Sequence, residues 1–332
     1  MLTRSRVLFS FGVFGAGTTA AYLFLPDKTR HAPTVDDASL SPSHFTRAIL
    51  TSSEPSGPNT KLLVLRVPGF TKSPESTTSA SRFNPIWSVY IKDDDIQVER
   101  PYTPLEGIDE EGRMVFWVKK YPKGEVGRWL HSKKVGDQVE FRGPLSTWAP
   151  REDDAWDEIV MISGGTGITP FYQLCHSIFS REDNASRTKI PRFTLLHSSP
   201  TPSELPPPRI LGRLREYAAA YPDRMALHLF VDSLEPPPAL ATDLPPLQLG
   251  RIGKPAIQRT LGIKTPSWWR SFSFFENSAN TVKPSRRILF LVCGPEPMIR
   301  AIAGPYGRNF SQGPVAGILG ELGYTSKEVR KM

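Results

Sequence analysis

Arg100, Tyr102 and Thr103 stand together in "ERPYTPLE", residues 99–106, flanked by Pro101 and Pro104. The prolines fix their own φ angles and push Arg100 and Thr103 toward extended backbone. In an extended chain Arg100 and Tyr102 project to one face. A planar cation beside a flat aromatic suits a ligand with a phosphate at one end and a ring at the other. A second cluster, "SGGTGITP" at 163–170, directly follows the apolar run "EIVMI". Gly164, Gly165 and Gly167 permit a tight turn and close approach of a ligand to the backbone. Thr169 suits the N-cap of a following helix and Pro170 its first position. Free N–H groups at the positive end of that helix favour a pyrophosphate, with a purely structural glycine turn as the plainer alternative. The third cluster, "LVCGPEPMIR" at 291–300, puts Cys293 at the carboxyl end of an apolar strand, where open α/β sheets bind ligands. A cysteine there is by itself a buried inert residue; the Gly-Pro-x-Pro-Met turn beside it shifts the reading toward a site. Cys175 reads as core packing.

Two kinds of element must carry these clusters. From "FTRAILTSS" through "KLLVLRVP", "IWSVYIKD", "IQVERPYT", "MVFWVKKY" and "QVEFRGP", short alternating segments are separated by turns every ten or so residues. That spacing predicts an antiparallel barrel or sandwich, interrupted by one helix near Gly127–Ser132. Beyond about Ala155 the pattern changes to compact apolar runs, "EIVMIS", "RFTLLHS", "ALHLFVD" and "RILFLVCG", with candidate helices between some of them. Such runs predict a parallel sheet covered on both faces. The two domains are expected at 44–150 and 155–332, after a polar linker at 27–43.

Residues 1–26 read as a targeting sequence and membrane anchor. Val7–Leu25 is an uncharged run of 19 residues preceded by Arg4 and Arg6, close to the ~20 needed to span a bilayer as a helix. A cleaved secretory signal is the competing reading, against which the run is long and lacks a small-residue cleavage site. The fold class expected is thus an N-terminal transmembrane helix, an antiparallel β-barrel and an α/β parallel-sheet domain. With 41 Lys and Arg against 33 Asp and Glu, the net charge of +8 favours an acidic partner or an anionic membrane surface. No basic run interleaved with aromatics points to nucleic acid. Two distant cysteines and six scattered histidines offer neither a disulfide framework nor metal-ligand spacing, so no metal is expected.

In their order and spacing the three clusters resemble the cytochrome b5 reductase branch of the ferredoxin–NADP reductase superfamily, from about His44 to the C-terminus. "RPYTP" is similar to that family's flavin motif, "GGTGITP" to its nicotinamide-nucleotide loop and "CGPEPM" to its nicotinamide-proximal turn. The resemblance implies FAD in the first domain and NADH or NADPH in the second. It implies that Arg100 and Pro101 hold the FAD pyrophosphate segment, that Tyr102 packs along the flavin and ribityl chain, and that Thr103 contacts the flavin near its hydride-accepting nitrogen. "VKKY" implies flavin contacts from Val118, Lys119 and Tyr121, and the loop Gly124–Val126–Gly127 implies a backbone cradle for the diphosphate. Here the chain departs from the pattern, with Glu125 and Gly127 where relatives often have Lys and Ser. Gly164, Gly165, Thr166, Gly167 and Thr169 are implied to bind the dinucleotide, and Cys293, Gly294, Pro295 and Met298 to flank the nicotinamide. Thr103 and Cys293 are thereby the candidate catalytic positions. Asp232 is implied to accept from the adenosine ribose and so to favour NADH, an ordinary turn aspartate being equally consistent. The chain also ends "EVRKM" where many relatives end in an aromatic.

The implied activity is electron transfer from NADH through flavin to haem or a haem protein. Among anchored members the chain resembles the fungal mitochondrial flavoprotein that supports haem attachment to cytochrome c. That likeness implies a mitochondrial inner-membrane location facing the intermembrane space, another mitochondrial or endoplasmic reticulum membrane being the alternative. A membrane-anchored NADH–cytochrome b5 reductase is the second reading, and a non-catalytic flavin-fold assembly factor a third of another class. Trp268, Trp269, Phe272, Phe274 and Phe275 form a dense aromatic segment that is either a loop packed on the sheet or a docking patch.

Overall fold

The computed structural model describes residues 32–35, 40–67, 70, 86–94, 97–149, 155–180, 190–235, 246–263 and 285–332. The first domain is an antiparallel sheet of β1 (Thr46–Gly57), β2 (Thr60–Arg66), β3 (Ile86–Lys92), β4 (Glu99–Tyr102), β5 (Arg113–Lys119) and β6 (Gln138–Trp148), in the order β4-β3-β6-β1-β2-β5. Alternate residues turn to one core: Leu63 and Leu65, Val89 and Ile91, Met114, Phe116 and Val118, Val139 and Phe141. This period of two is what the strand geometry requires of a sheet with one buried face. The edge strands β4 and β5 do not pair with each other, so the expected barrel is an open sheet curled about its core. Helix α1 (Glu125–Ser132) covers that core with Val126, Trp129 and Leu130. The Trp129 indole N–H donates to the Asp94 carboxylate, and Lys133 Nζ pairs with the same carboxylate at 2.8 Å. Both contacts pin α1 to the turn after β3.

In the second domain β7 (Glu158–Gly164), β8 (Arg192–Ser199), β9 (Met225–Val231), β10 (Leu247–Leu249), β11 (Ile288–Cys293) and β12 (Val329–Lys331) form a wholly parallel sheet, ordered β10-β9-β8-β7-β11-β12. Its central strand β7 is buried along its whole length. Ile159 and Met161 face the core under α2 (Thr169–Phe179) and α3 (Pro208–Ala220). Val160 and Ile162 face the opposite core, under α4 (Lys254–Thr260), α5 (Glu296–Ala303) and α6 (Gly317–Glu321). Burial on both faces explains why these strands read as continuous apolar runs.

Helix α2 joins the domains. Phe171 and Tyr172 share one buried cluster with Ile86, Leu105 and Trp117 of the antiparallel domain. The buried Gln173 amide accepts from Trp87 N–H at 2.8 Å and donates to the Pro104 carbonyl at 2.8 Å. Tyr172 donates to Glu106 at 2.8 Å, and Arg209 Nη2 reaches the other oxygen of that carboxylate at 3.0 Å. Lys119 on β5 pairs with Glu204 of the second domain at 2.7 Å.

The fold class requires a correction. Among the described residues no helix is long and apolar enough to cross a membrane. The longest, α3, has 13 residues and carries Arg209, Arg213 and Arg215. At 1.5 Å per residue it spans about 20 Å, short of the ~30 Å hydrocarbon layer. The transmembrane helix expected at 7–25 lies outside the described residues, as does the aromatic segment at 268–275. The architecture is therefore one antiparallel and one parallel sheet domain.

Two outcomes follow from the α2 interface. Gln173→Leu removes both of these buried interdomain hydrogen bonds, at a cost of about 1–3 kcal/mol each; urea unfolding should show that loss, and an unchanged midpoint would contradict it. Burial works against the charge on Glu106, but the Tyr172 hydroxyl and Arg209 outweigh it and hold the carboxyl below its ordinary value. A depressed carboxyl stabilises the fold above its unfolded pKa and loses that effect as pH falls through the folded one. The stability difference between wild type and Glu106→Gln should thus be complete above about pH 5 and shrink below about pH 4, as read from urea midpoints across that range.

Candidate functional site

A cleft of about 490 Å³ opens between the domains. One wall is Arg100 to Thr103 at the end of β4, Lys119 at the end of β5 with Tyr121 beyond it, and Gly124 to Gly127 at the start of α1. The other is Gly164 at the end of β7 with Thr166, Gly167 and Thr169 beyond it, and Cys293 at the end of β11 with Gly294 and Pro295 beyond it. All three sequence clusters, up to 193 residues apart in the chain by the interval from Arg100 to Cys293, therefore meet at one place. Val118, Gly165, Asp232 and Met298 do not line it. Val118 is buried in the core of the antiparallel domain, Met298 packs beneath Gly164, Gly165 shapes the turn with φ +53°, and Asp232 stands apart at the end of β9.

The geometry of each wall comes from local backbone. Helix α1 begins at Gly124 without a side-chain cap, so the N–H groups of its first turn lack intrahelical acceptors. A Cβ on Gly127 would stand 2.9 Å from the Lys119 carbonyl oxygen; the close approach of α1 to β5 requires glycine, which accounts for the departure noted at this position. Arg100 Nη1 donates to the Glu99 carbonyl at 2.8 Å and Nη2 faces Glu125 at 3.5 Å, with both side chains of this pair about half exposed. The unexpected acid thus stands against the guanidinium. Lys119 Nζ is engaged by Glu204 across the interface.

On the opposite wall a 3-10 turn, Gly165–Ile168, precedes α2. Thr169 is consequently the first residue of α2, not its cap, and its hydroxyl donates to the Thr166 carbonyl at 3.1 Å. The donors left without acceptors move back to Gly165–Gly167. A Cβ on Gly167 would come within 2.4 Å of the Cys293 carbonyl oxygen, so only glycine lets the two loops cross. Beneath the turn, His197 is fully buried between Ser163 (Nδ1 to Oγ, 2.9 Å) and Ser199 (Nε2 to Oγ, 3.1 Å), and burial pushes its pKa down to about 3.

Burial likewise pushes the Cys293 thiol up to about 12 and raises the Tyr102 phenol, so both keep their protons at neutral pH. Neither serves as a base. Among the described residues no cluster of His, Cys, Asp or Glu could hold a metal ion.

Sequence reasoning missed Trp117, Thr147 and Met332 in the cleft and Gln173 beside it. Met332 is held by its N–H to the Val292 carbonyl at 2.9 Å and by the Tyr306 hydroxyl to its carbonyl at 2.7 Å. The signal available was the apolar Val329 near the end of the chain, which continues the sheet beyond β11.

The residues present fit a flavin dinucleotide on the first wall: a guanidinium and free helix N–H groups for a diphosphate, and the flat Tyr102 ring for an aromatic system. They fit a second dinucleotide on the glycine turn. A family model described as an oxidoreductase FAD-binding domain matches residues 49–149. A protein of Vanderwaltozyma polyspora named NADH-cytochrome b5 reductase 2-A is 32% identical over 234 residues, covering 70% of this chain and 67% of that protein. The NADH-cytochrome b5 reductase 2 of Meyerozyma guilliermondii is 30% identical over 260 residues, covering 78% and 76%. The chain belongs to the NADH–cytochrome b5 reductase family. It is a flavin-dependent NAD(P)H oxidoreductase taking FAD and NADH as cofactors. The fold agrees: the cytochrome b5 reductase domain of Ulva prolifera nitrate reductase superposes with a TM-score of 0.59 at 20% identity, over 88% of this chain and 99% of that one.

The protonated thiol of this reductase has a direct consequence, because the thiolate is the reactive form. Iodoacetamide at pH 7.5 should label Cys293 at least about tenfold more slowly than a free thiol of ordinary pKa. Mass spectrometry reads the label, and modification at the free-cysteine rate would contradict the neutral assignment.

Proposed function

We propose that the chain passes electrons from NADH through FAD to a haem protein, and that the cleft is where donor and flavin meet. One observation carries this reading: the three motifs line a single interdomain cleft, the two diphosphate-type turns on opposite walls. Arg100 and the α1 amides hold the flavin diphosphate, Tyr102 lies along its ring system and Thr103 donates to the ring edge. The turn Gly164–Gly167 binds the nicotinamide dinucleotide, with Cys293 to Pro295 bounding its reactive end. Bound FAD supplies the chemistry, accepting a hydride and releasing electrons singly. The protein holds the two rings together and keeps water from between them, a matter of proximity and orientation. The neutral Cys293 and Tyr102 suit this role, since hydride transfer needs no base.

Cytochrome b5 is the acceptor that the relatives' names support. Haem undergoing attachment to cytochrome c in mitochondria is a second acceptor, supported by the sequence likeness of the drifted flavin loop, in which Glu125 now faces Arg100. The basic exposed surface beside the cleft, Lys120, Lys123 and Arg128, suits an acidic haem protein.

Purified full-length protein should be yellow, bleach on NADH addition and reduce cytochrome b5 or free haem. Arg100→Ala removes charge-assisted contacts worth about 1.5–3 kcal/mol, weakening FAD roughly 10- to 100-fold. Flavin content after gel filtration measures this for Arg100→Ala and Tyr102→Ala. Full flavin occupancy in both variants would overturn the proposed groove.

A further inference from the structure

His197 is fully buried and does not line the cleft. Its neighbours on β8, Leu195 and Leu196, are apolar and equally buried. An apolar residue at 197 would serve packing as well, whereas a buried polar group costs free energy unless it is hydrogen-bonded. His197 shares one rung of the parallel sheet with Ser163 of β7, and Ser163 shares it with Cys293 of β11. From that rung β7 and β11 run out into the two loops that form one wall of the cleft, the glycine turn from Gly164 and the turn Gly294–Pro295.

The hydrogen bonds of His197 run in one direction. The Ser199 hydroxyl donates to the Glu204 carbonyl at 3.2 Å, because a carbonyl can only accept. That uses its single proton, so Ser199 Oγ accepts from His197 Nε2–H at 3.1 Å. Burial keeps the imidazole neutral, and a neutral imidazole protonated at Nε2 accepts at Nδ1. The Ser163 hydroxyl donates there at 2.9 Å, in preference to the Leu196 carbonyl at 3.5 Å. Glu204 in turn extends its carboxylate to Lys119 of the other domain at 2.7 Å. A row of polar contacts therefore runs from the residue before the glycine turn, through the sheet, to the interdomain ion pair.

We propose that His197 is a positioning residue for the coenzyme: its one-way relay fixes the glycine turn relative to the Glu204–Lys119 contact, so that coenzyme affinity and domain closure are coupled. The inference rests on the turn being the dinucleotide site, and deepens that reading by naming the buried side chain that sets where the turn stands. Apolar packing at 197 could not do this, because hydrophobic contact is non-directional.

Nitrogen-15 NMR of the histidine-labelled, full-length holoprotein reads the relay directly, with His197→Gln assigning the resonance. One imidazole should stay neutral, with its proton on Nε2, between about pH 8 and about pH 5. The Nδ1–H tautomer, or titration within that range, would overturn the relay. Calorimetry with ADP-ribose, which carries the diphosphate without the nicotinamide, reads the turn without turnover. His197→Leu should weaken ADP-ribose about tenfold, the equivalent of roughly one net hydrogen bond, with flavin content unchanged. His197→Gln can accept at its amide oxygen and donate at its nitrogen, and should recover most of that loss; a residue needed for packing alone would show the opposite order. The KM for NADH should rise by a larger factor than kcat falls. Because His197→Leu and Glu204→Gln cut the same row, their joint effect on ADP-ribose should be smaller than the product of the separate ones, and a simple product would sink the coupling. If wild type and His197→Leu bind ADP-ribose equally, the assignment of His197 fails alone. If wild type binds none, the dinucleotide reading of the turn fails and this inference with it.

Discussion

Gln173 spends both ends of one buried amide on the backbone of the other domain, holding Trp87 N–H and the Pro104 carbonyl. The geometry of the cleft depends on this contact. Four residues before Gln173, the same helix begins at the glycine turn; one residue before Pro104 stands Thr103. A short covalent path on each side therefore ties the two walls to a single pair of hydrogen bonds. Hydride transfer is sensitive to ring separation, and displacements of about 1 Å can cost a hundredfold in rate. Loops positioned only by their own sheets would not hold such a distance. The apolar contact of Phe171 and Tyr172 with Ile86, Leu105 and Trp117 supplies the bulk of the adhesion. The amide supplies the register, because it has only one satisfied arrangement.

Electrostatics in the cleft follow from the same burial. Tyr102 and Cys293 are kept neutral by desolvation, while the guanidinium of Arg100 is half exposed and balanced by Glu125. The cleft thus presents one half-exposed cation and two turns with free backbone donors. If Arg100 holds the flavin diphosphate as proposed, Glu125 competes for it. Lys119, which also lines the cleft, pairs with Glu204 across the interface. The arrangement separates binding from assembly: Arg100 stays available to a ligand, and Lys119 holds the domains.

Much of this organisation was legible along the chain. Period-two alternation marked the antiparallel strands, and unbroken apolar runs marked the parallel ones, because burial on one face or two dictates those patterns locally. The three clusters were legible because glycine and proline at fixed spacings prescribe their backbone with little help from elsewhere. Thr169 was misread as a cap for a related reason: the 3-10 turn ahead of α2 depends on how Gly167 crosses beneath the Cys293 loop.

Composition and local spacing, then, determined the two kinds of sheet, their sequence in the chain and the turns able to receive phosphates. Tertiary structure alone decided the strand order, the open edge between β4 and β5, and the partners of Gln173, Lys119, Asp232 and Met332. Each of those partners lies between 19 and 86 residues away, as with Asp232 and Arg251 at one extreme and Gln173 and Trp87 at the other. No local backbone preference encodes such a distance. It is set when apolar faces close on each other and the polar groups trapped between them must find acceptors and donors.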